Sequence, residues 1–114
     1  MNPAPTAAGT CSKYSRFKYV TSEELLDKAV HQEQPQDNPL LRQADFHAVI
    51  SVRVFVNNSG RVVCAEVQKS APGPGDGLNT ISLIAARKWR FRPLQTQTGK
   101  RVGMQGDLTF HLDH

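Results

Sequence analysis

The sequence predicts an α+β fold in two layers, a three-stranded antiparallel sheet with helices packed on one face, and three observations lead there. The run "AVISVRVFV" (Ala48 to Val56) puts Ile50, Val52, Val54 and Val56 on one side and Val49, Ser51, Arg53 and Phe55 on the other, the period of two that marks a strand with one buried face. Turn-forming "NNSG" (Asn57 to Gly60) and the β-rich "RVVCAEVQK" follow at once, the order of an antiparallel hairpin. In "TISLIAARKWRF", Ile81, Ala85 and Trp89 recur at helical spacing, and an alternating run ends the chain. Helix, strand, strand, helix, strand, each apolar along one side, stack as helices over one face of the sheet. The other face, with Arg53, Phe55 and Thr109, is expected to stay available, as are the edge strands.

The elements follow in chain order. Residues 1–20 form an N-terminal tail, unperiodic through Lys13 and ending in a short strand in "YSRFKYV", and residues 21–114 form the domain. "TSEELLDKAVHQ" opens with Thr21 three residues before Glu24, the spacing of a capping box, and sets Leu25, Leu26 and Ala29 on one helical face. "EQPQDNPLLRQAD" begins extended, and Pro39 suits the first turn of a short helix running to Ala44. In the return strand of the hairpin, Val62, Val63, Cys64 and Ala65 are consecutive small apolar residues, the mark of a bulge. After the loop "SAPGPGDG", Asn79 or Thr80 caps the next helix, whose last turns hold Arg87, Lys88 and Arg90 where the helix dipole favours positive charge. Pro93 stops that helix, "LQTQTGK" is a polar connection, and Val102, Met104, Leu108, Phe110 and Leu112 share one side of the last strand.

A chain of 114 residues with 39% hydrophobic composition suits one small domain. Its net charge of +4 is uneven, because Arg87, Lys88, Arg90, Arg92, Lys100 and Arg101 lie in a span without acids. Such a patch suits an acidic partner, a membrane surface or nucleic acid, and equally an ordinary solvated face. No apolar run approaches the roughly 20 residues of a membrane span, and the first residues lack the apolar region of a signal peptide. The chain is therefore expected to be soluble and without an export signal, either cytoplasmic or a piece of a longer exported or anchored protein. Its two cysteines, Cys11 and Cys64, permit a disulfide in an oxidising compartment and are equally compatible with free thiols.

No enzymatic constellation is legible. "GPGDG" has the wrong glycine spacing for a dinucleotide turn, and Pro74 removes an N–H that a phosphate would use. The four histidines have no helical pairing and neither cysteine has a C-x-x-C partner, so no metal and no cofactor is expected. Glu23 and Glu24 belong to a helix start, and no Ser or Cys has a context that would activate it. Trp89 and Phe91 among arginines resemble a stacking platform for bases. However, Trp89 shares the helical stripe of Ile81 and Ala85, so its ring should face the sheet, and no nucleic acid is expected as a partner.

Three segments, "VISVRVFVNNSGRVVCAEVQKSAP", "LNTISLIAARKWRFRP" and "GKRVGMQGDLTFHL", together resemble the C-terminal domain of TonB, the periplasmic end of the energy transducer for outer-membrane transporters. Gly60, Val62, Val67, Ser70, Ala85, Trp89, Arg90, Phe91 and Pro93 occupy the family's places, and the likeness runs from about Pro39 to Leu112. The family's Tyr-Pro is Asn38-Pro39 here, with Asp37 before it, and the Gly that usually opens the first long strand is Ala48.

The resemblance implies a periplasmic domain that takes the Ton box of an outer-membrane transporter as an added strand beside its last strand. Residues implied at that edge are Val102, Gly103, Met104, Gln105, Gly106, Asp107, Leu108, Thr109 and Phe110, with Gly103 and Gly106 allowing another backbone to approach. Gln34, Pro35 and Gln36 match the upstream stretch that touches the transporter in some members. Trp89, Phe91, Pro93 and Gly60 are implied structural residues. Inner-membrane motor proteins would be reached only through an anchor and spacer, which this sequence lacks; it is expected to be a fragment or a stand-alone version. The alternative is an envelope assembly domain of the same fold that pairs with itself as a homodimer.

Overall fold

A computed structural model describes residues 11–35, 47–71 and 76–113. A 3₁₀ turn at Ser12–Tyr14 leads to β1 (Lys18–Tyr19), α1 (Ser22–Lys28) and β2 (Ala29–His31). Then come β3 (His47–Val56), β4 (Val62–Ala71), α2 (Asp76–Lys88), β5 (Arg90–Phe91), β6 (Leu94–Gln95), β7 (Arg101–Val102) and β8 (Met104–Asp113). The helix expected from Pro39 to Ala44 lies outside the described residues.

The expected antiparallel strands are β8, β3 and β4, with β3 in the middle. The sheet nevertheless has four strands and mixed direction, since β1 joins the outer side of β8 in parallel, Lys18 opposite Met104 and Tyr19 opposite Gln105. A short strand was expected in this segment, but its place in the sheet is decided by main-chain groups far along the chain. The β3–β8 ladder runs without interruption from His47↔Asp113 to Val56↔Met104. The β3–β4 ladder shifts twice, and one shift passes over Val63 between the pairs Phe55↔Cys64 and Val56↔Val62. That is the bulge the small apolar run implied.

Alternation decides what the sheet buries. Ile50, Val52, Val54 and Val56 of β3 are fully buried, next to Met104, Leu108, Phe110 and Leu112 of β8. Each such side chain contributes about 1.5–3 kcal/mol when taken from water. Leu25 of α1, Ala85 and Ala86 of α2, and Trp89 and Phe91 beyond it belong to the same core. Helix α2 lies over β3 and β4, while α1 packs against β8.

Both helices depart from their expected bounds. The capping box forms, with the Glu24 N–H donating to Thr21 Oγ1 and the Thr21 N–H to Glu24 Oε1. However, α1 stops at Lys28, and Ala29 is already extended. The carbonyl of Lys28 accepts the Arg92 N–H at 2.8 Å, and Ala29 pairs with Phe91 across the β2–β5 ladder. Tertiary pairing thus takes the groups that another helical turn would need. Leu26, expected beside Leu25 on the packed face, is 49% exposed. Helix α2 begins at Asp76, ahead of the expected caps Asn79 and Thr80, and puts Ser82, Ala85 and Ala86 at its closest approach to the sheet.

The corner after α2 buries its aromatics as the sequence implied, but the helix ends at Lys88 instead of running on to Pro93, because Arg90 and Phe91 form β5 and pair with β2. Trp89 is 3% exposed, its ring stacked on Phe91 at 6.0 Å and edge-on to Phe110 at 6.2 Å. Its indole N–H donates to the Glu33 carbonyl at 2.8 Å. Gly60 adopts φ +86°, and its carbonyl accepts the Phe91 N–H at 3.0 Å, which joins the hairpin turn to this corner.

The sheet face expected to stay available is covered in part. Phe55 is only 4% exposed, with the Tyr14 ring at 6.2 Å. Residues 11–20 of the stretch expected as a tail are held by a Cys11–Cys64 disulfide, the cysteine of β4 lying opposite Phe55.

Candidate partner-binding edge

Strand β8 has an inner side, paired with β3, and an outer side. The carbonyls of Gly103, Gln105 and Asp107 all point outward, where they accept the Lys18 N–H (3.3 Å), the Val20 N–H (2.8 Å) and the Ser22 hydroxyl (2.9 Å). Thr109 and His111 continue that alternation. Among the described residues nothing pairs with their outward main-chain groups. The open edge therefore begins beyond Asp107 and is short.

The implied edge residues separate accordingly. Val102 belongs to β7, a hairpin strand paired with Leu94 of β6, and lines a hollow of about 490 Å³ with Lys18 and Leu94–Thr98. At Gly103 a Cβ would lie 2.8 Å from the Phe17 ring, and at Gly106 3.1 Å from the Val20 carbonyl oxygen. Both glycines do admit a close neighbour, and that neighbour is the chain's own segment. Met104, Leu108 and Phe110 turn their side chains into the core. Gln105 holds the same segment, its side-chain amide donating to the carbonyls of Phe17 (2.7 Å) and Ser15 (3.1 Å).

Beside the open stretch lies a groove of about 320 Å³ lined by Ser22, Leu26, Trp89, Asp107, Leu108, Thr109 and His111. It lies where α1 packs on β8, with apolar side chains of Leu26, Leu108 and Trp89 and polar groups along the strand. Ser22, Leu26 and His111 are lining residues that sequence reasoning did not assign, and Trp89 was assigned only a structural part. The only advance signal for Leu26 was one more leucine than a seven-residue helix needs for its packed side.

Charge along the edge is set by Asp107. It receives a two-pronged hydrogen bond from Arg53 (2.7 and 3.0 Å), and this bond raises the guanidinium above its usual pKa. The same guanidinium sits 5.1 Å from the Tyr19 ring centre. Arg53 thus stays cationic through the whole range in which proteins fold, and it links β3, β8 and β1 on the outer face.

Gln34 lines a separate hollow of about 160 Å³ against α2, with Ile81, Ile84, Ala85 and Lys88. Pro35 ends the described stretch there, and Gln36 lies outside the described residues. The link between this stretch and the β8 groove is Trp89, whose ring lines the groove while its N–H holds Glu33. Of the cations, Arg87, Lys88, Arg92, Lys100 and Arg101 are exposed, and Arg92 also donates to the Asp27 carbonyl. With its ring buried, Trp89 offers no face for a base. No described helix is long and apolar enough to cross a membrane.

No protein-family model matches the sequence, and no curated protein matches it either. Among solved structures, the chain is similar to the solution NMR structure of the Pseudomonas aeruginosa TonB CTD, with a TM-score of 0.58 and 22% identity over 76% of this chain and 85% of that one. At that identity the likeness speaks for the fold, and the fold is that of a TonB C-terminal domain.

Proposed function

We propose that this domain is a periplasmic binding module that recognises the Ton box of an outer-membrane transporter by strand addition in energy-coupled uptake. The observation that carries the reading is the open edge of β8 at Thr109 and His111, flanked by the groove against Leu26 and Trp89. An extended peptide laid there would take main-chain hydrogen bonds from the strand, and a side chain on alternate residues would enter the groove. Main-chain pairing tolerates sequence change in the peptide, while the groove supplies selectivity. Motor proteins of the inner membrane would act on such a module through an anchor and spacer upstream, and the domain works here as a binding part without enzymatic chemistry.

Titrating ¹⁵N-labelled protein with Ton-box peptides tests the reading. Amide shifts are expected at Leu108–Leu112 and at Leu26, with a change at the Trp89 indole. Absence of shifts in that set with every transporter peptide tried would remove the proposal.

A second reading keeps the fold and changes the partner. Strand β4 is the other margin of the sheet, and Val63 on it is 37% exposed, so two copies could pair edge to edge. Sedimentation over a concentration series decides it: a monomer at high concentration excludes this homodimer.

A further inference from the structure

The beginning of the β8 edge is not empty, and what fills it is unusual in its construction. Cys11 is bonded to Cys64 of β4, so the segment starts tied to the far side of the sheet. It then crosses the face, with the Tyr14 ring 5.3 Å from Phe17 and 6.2 Å from Phe55. Phe17 lies over Gly103, just ahead of β8, where a Cβ would come within 2.8 Å of its ring. Lys18 and Val20 donate to the Gly103 and Gln105 carbonyls, and Val20 is buried where α1 begins. The segment is therefore a strap fixed at both ends, by a disulfide and by Val20. Its middle holds the strand position through few main-chain bonds, while the Lys18 and Tyr19 side chains stay exposed.

We infer that Lys18–Val20 is an internal competitor: the chain's own strap occupies the parallel strand position that an extended partner peptide takes, and a partner gains the edge from Gly103 to His111 only by lifting it. The inference rests on the proposed addition of a strand at β8. Its physical basis is concentration. A tethered segment competes as if it were present at about millimolar level, without any need for tight contacts. Partner affinity is then reduced by the fraction of molecules in which the strap is lifted. Short elements with few buried contacts are the ones that open without global unfolding. The main-chain bond at Lys18, in a two-residue strand with exposed side chains, is of that kind, whereas Val20 is buried at the end of the strap and the β3–β8 ladder beneath is continuous.

Two variants test the strap. Cys11→Ser with Cys64→Ser frees one end, and Lys18→Pro removes the donor to Gly103 with the disulfide intact, so the test survives if the first fails to fold. The probe is a synthetic peptide with the sequence of residues 12–20, beside a Ton-box peptide. Val20 should exchange its amide about tenfold faster in the variants while Ile50–Val56 exchange as before, and the 12–20 peptide should bind at Met104–Asp107 about tenfold more tightly than to the unaltered chain. Unchanged exchange at Val20, equal affinity for the unaltered chain, or no binding of either peptide to the opened variants overturns the inference. Binding of the 12–20 peptide without binding of the Ton-box peptide upholds the strap and removes the transporter reading instead.

Discussion

Replacing Gly60 by alanine loads two separate penalties on one corner, and Gly99 provides the means to divide them. Both glycines have positive φ, +86° and +85°, so a Cβ at either costs about 1–2 kcal/mol in backbone conformation alone. At Gly99 the added methyl meets nothing within 4 Å. At Gly60 it would lie 1.9 Å from the Phe91 carbonyl oxygen and 3.0 Å from its carbon, and backbone cannot swing aside as a flexible side chain can. Relief requires the turn and β5 to separate, at an overpacking cost of about 1–3 kcal/mol. Separation also weakens the Phe91 N–H bond to Gly60 O, worth about 0.5–1.5 kcal/mol. Gly60→Ala should therefore cost about 3–6 kcal/mol and Gly99→Ala about 1–2, against a total stability on the order of 5–15 kcal/mol. Urea unfolding followed by Trp89 fluorescence reads both, with the slope held common. Equal losses at the two positions would refute the reasoning, because then the approach of Gly60 to Phe91 contributes nothing.

Two further substitutions have opposite signs. Trp89→Ala removes the ring that meets Phe91 and Phe110 and strands the Glu33 carbonyl; thermal unfolding should show a loss of about 3–5 kcal/mol, and little native protein at 37 °C if the domain is at the low end of stability. Ser82→Ala should instead stabilise the domain by about 0.5–2 kcal/mol, since the buried Ser82 hydroxyl has no hydrogen-bond partner and alanine is the better helix former. A lowered denaturation midpoint for that variant would show that the hydroxyl has an acceptor after all.

Which features could be read beforehand follows from where their energy lies. The alternation of β3 was legible because its two sides meet different surroundings, and the Val63 bulge because consecutive apolar residues cannot all face inward. Trp89 was placed in the core by its spacing from Ile81 and Ala85. The end of α1 was not, because the Lys28 carbonyl is claimed by Arg92, a residue far along the chain. Strand β1 was expected only as a short strand, and its parallel partner could not be found from two exposed residues. The cysteines left pairing open, since spacing along a chain says nothing of distance across a sheet face; the fold brings their Cα atoms to 5.8 Å. At the candidate site the strand itself was legible, but which part of its edge stays open depends on Val20 and Ser22, whose bonds to Gln105 and Asp107 are long-range.

The unbroken β3–β8 ladder also has a mechanical meaning. Its pairs run from His47↔Asp113 to Val56↔Met104 with no shift, unlike the bulged ladder on the other side of β3. Tension applied along β8 loads all of these main-chain bonds in shear, so they must yield together. Tension applied across the strand from Asp113 would part them singly, like the teeth of a zip. A strand docked parallel to β8 would therefore pull on this domain in its stiffest direction.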